Sequence, residues 1–182
     1  MDYREGMDGS YPRERRPATA REAKALGHPL RLRILRLAGQ HEMTNKQLAE
    51  RLGKDPGTVL YHVRQLVEAG LLEPVEVRTG ESGALEKPYR STGRSWWIDG
   101  PLNDADAEVR LAPLEAFEAE LREAGPDSVQ TFSRFSLHLS PEELDELDRR
   151  ILAVLDEYIE TDSQRLDRPA LGGMFVIHRL AD

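Results

Sequence analysis

The stretch "TNKQLAERLGKDPGTVLYHVRQLVEAGLLEP", Thr44 to Pro74, constrains the fold of this 182-residue chain more than any other. Two short amphipathic segments are split by Gly-Lys-Asp-Pro-Gly, which leaves room for a tight turn and nothing else. Thr44 is placed to cap "NKQLAERL", and Gln47, three residues on, completes a capping box; Gly53 sits where a glycine ends a helix in the left-handed conformation. Asp55 caps the next helix, with Pro56 at the first position, where a missing N–H costs no helical bond. The spacing therefore predicts two helices joined by a turn of a few residues.

The second of these helices has two unlike faces. Wound at about 100° per residue, Val59, His62, Val63, Leu66 and Val67 gather on one side, while Gly57, Thr58, Tyr61, Arg64 and Gln65 gather on the other. The first face packs, and His62 on it reads as a hydrogen-bonded core residue. The outward face combines hydrogen-bonding side chains, a ring, a cation and a glycine that permits close approach, with no carboxylate before Glu68. Such a helix N-terminus suits phosphate and base edges. The equally simple reading is a solvated polar face.

After Gly70 the pattern turns to "LLEPVEVRTG", a loop "ESGALE" and "KPYRSTGRSWWID", a two-stranded ribbon with a tip. Upstream, residues 1–18 mix charges with Gly and Pro without hydrophobic period and read as a flexible arm. A helix is expected from Thr19 to Leu26, and a second from Pro29 to about Gly39 with Leu30, Ile34, Leu35 and Leu37 on its apolar side.

Charge divides the chain. Residues 1–94 hold 17 Arg and Lys against 13 Asp and Glu, whereas residues 95–182 hold 8 against 20. A basic part facing nucleic acid beside an acidic part that limits indiscriminate binding would give this asymmetry; acidic helices that serve only solubility would give it too. There is no cysteine, so disulfides, thiolate metal sites and thiol nucleophiles are excluded together, and no long apolar run predicts a membrane span or signal peptide. The expected location is the cytoplasm. No phosphate-cradling glycine loop, nucleophile elbow or paired His motif supports an enzyme, and no cofactor is implied.

The acidic half, residues 99–182, predicts a small α/β domain. "LAPLEAFEAELREAG" is a helix with Leu114, Phe117 and Leu121 on one face, and "RFSLHLS" alternates as a strand with Phe135, Leu137 and Leu139 inward. Ser140-Pro141-Glu142-Glu143 opens a helix to about Thr161, whose stripe Leu144, Leu147, Ile151, Val154 and Tyr158 follows alternating spacings of three and four. "GGMFVIHRL" reads as a closing strand. A two-stranded sheet is marginal alone, so pairing with a second subunit is expected, and the stripe either dimerises directly or covers its own sheet. His138 and His178 each fall in a predicted strand and could meet across that sheet as an imidazole metal site, for which one or two carboxylates would also have to converge. Trp96 and Trp97 serve as core anchors or line an apolar pocket together with Phe132, Phe135, Met174 and Phe175, a lining that suits an apolar small-molecule effector better than a metal.

Helix, turn, helix and ribbon in this order make a winged helix-turn-helix, and "LGHPLRLRILRLAG", "NKQLAERLG", "GTVLYHVRQLVEAGLL" and "YRSTGRSW" resemble the arsenical-repressor (ArsR) type of bacterial winged-helix regulators over residues 19–98. With the acidic half read as a dimerisation and effector domain over 99–182, the expected chain is α+β, and the resemblance implies a DNA-binding domain over 19–98. It implies a homodimer on double-stranded DNA, with Asp55 to Ala69 in the major groove and Gly57, Thr58, Tyr61, Arg64 and Gln65 nearest the bases. Thr44 and Lys46 would stand beside them, and Arg78, Lys87, Arg90 and Arg94 on the wing would hold backbone or minor groove. The chain departs from the metal-sensing members at Thr44-Asn45-Lys46, where they carry a Cys-x-Cys, so a thiolate sensor of soft ions is excluded. A winged-helix protein-interaction scaffold and a small-molecule binder with weak DNA contact are the alternatives, and the salt dependence of duplex affinity separates them.

Overall fold

The computed structural model describes residues 15–79, 83, 85–99, 102 and 105–181. It is a mixed α+β chain in two compact units, Arg15–Ser128 and a second that takes in Val129–Asp182. The arm expected over residues 1–18 lies outside the described residues as far as residue 14; beyond it, Arg16–Pro17 forms a strand, β1.

In the first unit, Thr19 caps α1 (Ala20–Leu26) through a capping box with Glu22. Glu22 also takes the Arg16 guanidinium at 2.5 and 2.9 Å, which ties β1 to the helix it precedes. The fork and the Thr19 bonds hold the Glu22 carboxyl down at about 2, against the opposing pull of burial. Helix α2 (Pro29–Gln40) follows, capped by the His28 ring, whose Nδ1 accepts from Leu30 N at 3.1 Å. A short strand, β2 (Met43–Thr44), leads into α3 (Asn45–Leu52) and α4 (Pro56–Glu68).

Both helices end in glycine caps. At Gly53, φ is 60°, Lys54 N reaches Ala49 O at 3.0 Å and Gly53 N reaches Glu50 O at 3.2 Å. Gly70 repeats this at φ 69°, with Leu71 N on Leu66 O at 3.0 Å. These paired bonds satisfy carbonyls that a helix end otherwise leaves open.

The ribbon then unfolds as β3 (Leu72–Pro74), β4 (Arg78–Thr79), β5 (Leu85–Glu86) and β6 (Pro88–Ser91). Strand β6 pairs antiparallel with both β2 and β3, placing Tyr89 opposite Met43 and Pro74, and β4 pairs antiparallel with β5 to extend the wing. A 3-10 turn, Arg94–Trp97, leads to β7 (Ile98–Asp99), which runs parallel to β1. Ile34, Leu48, Val59, Val63, Leu66, Leu71 and Leu72 are sealed from solvent in one core shared by all four helices and the sheet. Burial of this set is the driving term for the unit.

Helix α5 (Ala107–Ala124), expected to open the second domain at residue 99, packs instead on α2 within this first unit. The face it buries is also not the expected one: Ala112 and Ala116 are buried, while Leu114 and Leu121 are exposed. Small side chains let the two helices approach closely. At the end of α1, a Cβ added to Gly27 would collide with Val109 Cγ1 of α5, and Arg33 and Arg36 of α2 reach Glu123 and Glu120 at 2.7 and 2.9 Å. Arg51 pairs with the same Glu123.

In the second unit the helix is as expected: α6 (Pro141–Glu160) carries the Ser140–Glu143 capping box and Pro141 in its first turn. The flanking strands are not. Residues 131–139 and 169–181 carry neither helix nor ladder among the described residues, which corrects the strands read at "RFSLHLS" and "GGMFVIHRL". Their alternation is right for a strand, but a strand exists only against a neighbour that takes its N–H and C=O groups. Along the α6 stripe, Leu147 and Ile151 are half-buried and Leu144, Val154 and Tyr158 are exposed.

Candidate nucleic-acid interface

Helix α4 is held from behind by a buried polar knot as well as by its apolar face. Arg31, inside the core edge, donates from Nε to Ala25 O at 2.6 Å and from Nη2 to Lys24 O at 2.5 Å, closing the carbonyl end of α1. Its Nη1 lies 3.5 Å from His62 Nδ1, and the His28 and His62 rings stand 4.4 Å apart. One guanidinium thus links α1, α2 and α4. Burial, the neighbouring His28 and the Arg31 charge together lower the His62 pKa to about 4, so the ring is neutral at neutral pH. His62 is buried, as its helical position requires.

The turn between α3 and α4 has its own clasp, because Asn45 Nδ2 donates to Pro56 O at 2.9 Å. Asp55 Oδ1 accepts from Gly57 N at 2.8 Å and Thr58 N at 3.2 Å. That is the cap expected at Asp55, and it gives the N–H groups of Gly57 and Thr58 a carboxylate partner. Neither Asn45 nor Arg31 has a signature in the sequence pattern, since both work through backbone carbonyls that only the fold brings near.

The outward face is assembled as read. Gly57, Thr58, Tyr61 and Arg64 are exposed and Gln65 is half-buried, with Tyr61 showing 58% of its surface to solvent. Among the described residues no carboxylate pairs with Arg64. The other candidates divide. Thr44 is buried, its hydroxyl committed to the α3 cap by bonds with Gln47 of 3.2 and 3.0 Å, so it supports the helix and offers nothing outward. Lys46 is exposed, with Glu50 at 3.9 Å, and Lys87 is exposed on the ribbon.

On the wing, Arg78 lies 3.8 and 3.7 Å from Glu42 and Glu86, and Arg90 bonds Glu73 at 2.7 Å. A phosphate would have to displace carboxylates there, whereas Arg64 is already open. Trp96 and Trp97 sit in the 3-10 turn with the Arg15 guanidinium 5.1 and 5.5 Å from their ring centres. In the second unit Phe132 and Phe135 are exposed and Met174 and Phe175 half-buried. His138 and His178 are exposed, and His178 Nδ1 contacts the Arg179 carbonyl at 3.1 Å.

No helix of the described residues is long and apolar enough to cross a membrane. No curated protein matches the chain. Residues 26–75, from the end of α1 through α4 and β3, match a protein-family model described as a helix-turn-helix domain, and this match together with the open face of α4 supports a DNA-binding regulator.

Proposed function

We propose that the protein is a sequence-specific transcriptional regulator of the ArsR-like winged-helix type that binds DNA as a homodimer in the cytoplasm. The observation that carries this is the composition of α4: Val59, Val63 and Leu66 are sealed behind it while Thr58, Tyr61 and Arg64 stand open on its outward face. A helix so mounted is rigid where it packs and accessible where it reads. The wing then contributes Lys87 to the DNA backbone, and Arg78 and Arg90 once phosphates replace their carboxylate partners. The second unit supplies the dimer and, by its aromatic and aliphatic side chains, the place for an apolar organic effector.

The test is selection of bound duplexes from a random pool, followed by a salt titration of the selected sequence and a scrambled one. A preferred sequence, with affinity falling steeply as salt rises, is the expected result. Chelators should leave it unchanged, because the effector is organic. No duplex affinity even at low salt would point instead to a protein-interaction scaffold.

A further inference from the structure

The second unit is chemically incomplete as one chain. Phe132 and Leu171 expose 82% and 81% of their surface, and Tyr158 on α6 exposes 64%. Leu137, Val154 and Val176 are also exposed, so apolar surface runs over both strand-patterned segments and the helix between them. Single exposed hydrophobes are ordinary, but this many in one unit are surface for another body to cover.

The backbone narrows the kind of body. Among the described residues, no backbone-to-backbone hydrogen bond is made by residues 131–139 or 169–181. "TFSRFSLHL" alternates Phe135, Leu137 and Leu139 with Arg134, Ser136 and His138, a period of two that only a pleated pairing uses. What is missing is therefore a strand, which main-chain hydrogen bonds would recruit. Charge narrows it further. Neither segment contains an acidic residue, and Arg134 and Arg179 make both basic, whereas α6 holds eight Asp and Glu against Arg149 and Arg150.

A body with an unpaired basic strand and an acidic helix complements that description, and this chain is such a body. Identical strands pair antiparallel about a two-fold axis, each residue meeting its partner's reciprocal one, so one interface satisfies both deficits. We propose that residues 131–139 and 174–180 become strands only in a pair of chains, laid against the same segments of a second copy in one shared sheet that α6 of each copy covers. This rests on the homodimer reading above and names how that dimer is built.

Sedimentation and backbone hydrogen exchange of the full chain, over a concentration series, test it. The expected result is a dimer in which the amides of 131–139 and 174–180 exchange roughly 100-fold more slowly than in the dilute monomer. The substitutions Phe135→Asp with Leu137→Asp should weaken dimerisation by roughly 100-fold, while the thermal transition of the Arg15–Ser128 unit stays in place. Val176→Pro and Ile177→Pro address the ladder itself, because adjacent N–H groups point to opposite edges and one of the two must be a donor to the neighbour. A monomer at every concentration overturns the proposal, as does a dimer whose segment amides exchange freely, protection that survives in the monomer, or indifference to both prolines. Duplex affinity is measured alongside: a monomeric chain that still binds its selected sequence sinks this inference and leaves the DNA reading standing, and a protected dimer without duplex affinity does the reverse.

Discussion

Two side chains on α4, two residues apart in sequence, divide the labour of the helix. His62 points inward against Arg31 and His28, and Arg64 points outward with no carboxylate partner among the described residues. Replacing Arg64 or Tyr61 by Ala should leave the fold intact and reduce affinity for the selected duplex by roughly 1–3 kcal/mol. Equal losses on selected and scrambled duplexes would place these side chains on phosphate and count against base reading. His62 makes the complementary prediction, about stability. Its pKa falls from the ordinary 6.5 to about 4 in the folded chain, so the unfolded state binds more protons between those values. Stability from a neutral His62 is fully present above pH 6.5 and is lost as pH falls toward 4. Melting temperature should drop across that window, and His62→Gln should flatten the drop, with a smaller slope left by His28, whose pKa burial also lowers. An unchanged slope in the variant would remove His62 from the account.

Elements whose determinants are local were legible in the sequence, and those whose determinants are remote were not. The capping boxes at Thr44 and Ser140 and the glycine stop at Gly53 each depend on a few adjacent residues, and each forms. The orientation of α5 depends on what it meets. Its larger hydrophobes suggested a face through Leu114 and Leu121, but in the packed unit Ala112 and Ala116 turn inward instead. The outward set of α4 was readable from the helical wheel, while Asn45 and Arg31, which fix that helix in place, act through Pro56, Lys24 and Ala25 carbonyls that no local pattern reveals. A fragment ending at Asp99 should therefore be less stable than one ending at Ser128, by about 2–5 kcal/mol from the lost alanine face and the partly buried Arg33 and Arg36 pairs. Urea denaturation of the two fragments measures this, and coincident midpoints with equal slopes would show α5 to be an accessory.

At the scale of the whole molecule, the proposed reading head and the remainder of the chain should act on DNA with opposite signs. Residues 129–182 hold 11 acidic and 6 basic residues, so for random duplex this unit is a repulsive neighbour. For a duplex with two half-sites about one helical turn apart, the same unit would, in the proposed homodimer, link two α4 helices and turn the second contact into an intramolecular one. Removing it after Ser128, where the compact unit ends, should separate these effects. Affinity for random duplex at low salt should hold or rise, while affinity for the two-half-site duplex should fall by more than Arg64→Ala costs. The salt dependence supplies an independent count, since log affinity falls by about 0.9 for each neutralised phosphate per decade of salt. Losing one of two heads should cut that slope by roughly half. Sedimentation completes the measurement: a truncated chain that remains a tight dimer, with its slope and two-site affinity intact, would place the dimer interface within Arg15–Ser128 and leave the acidic unit without a part in DNA binding.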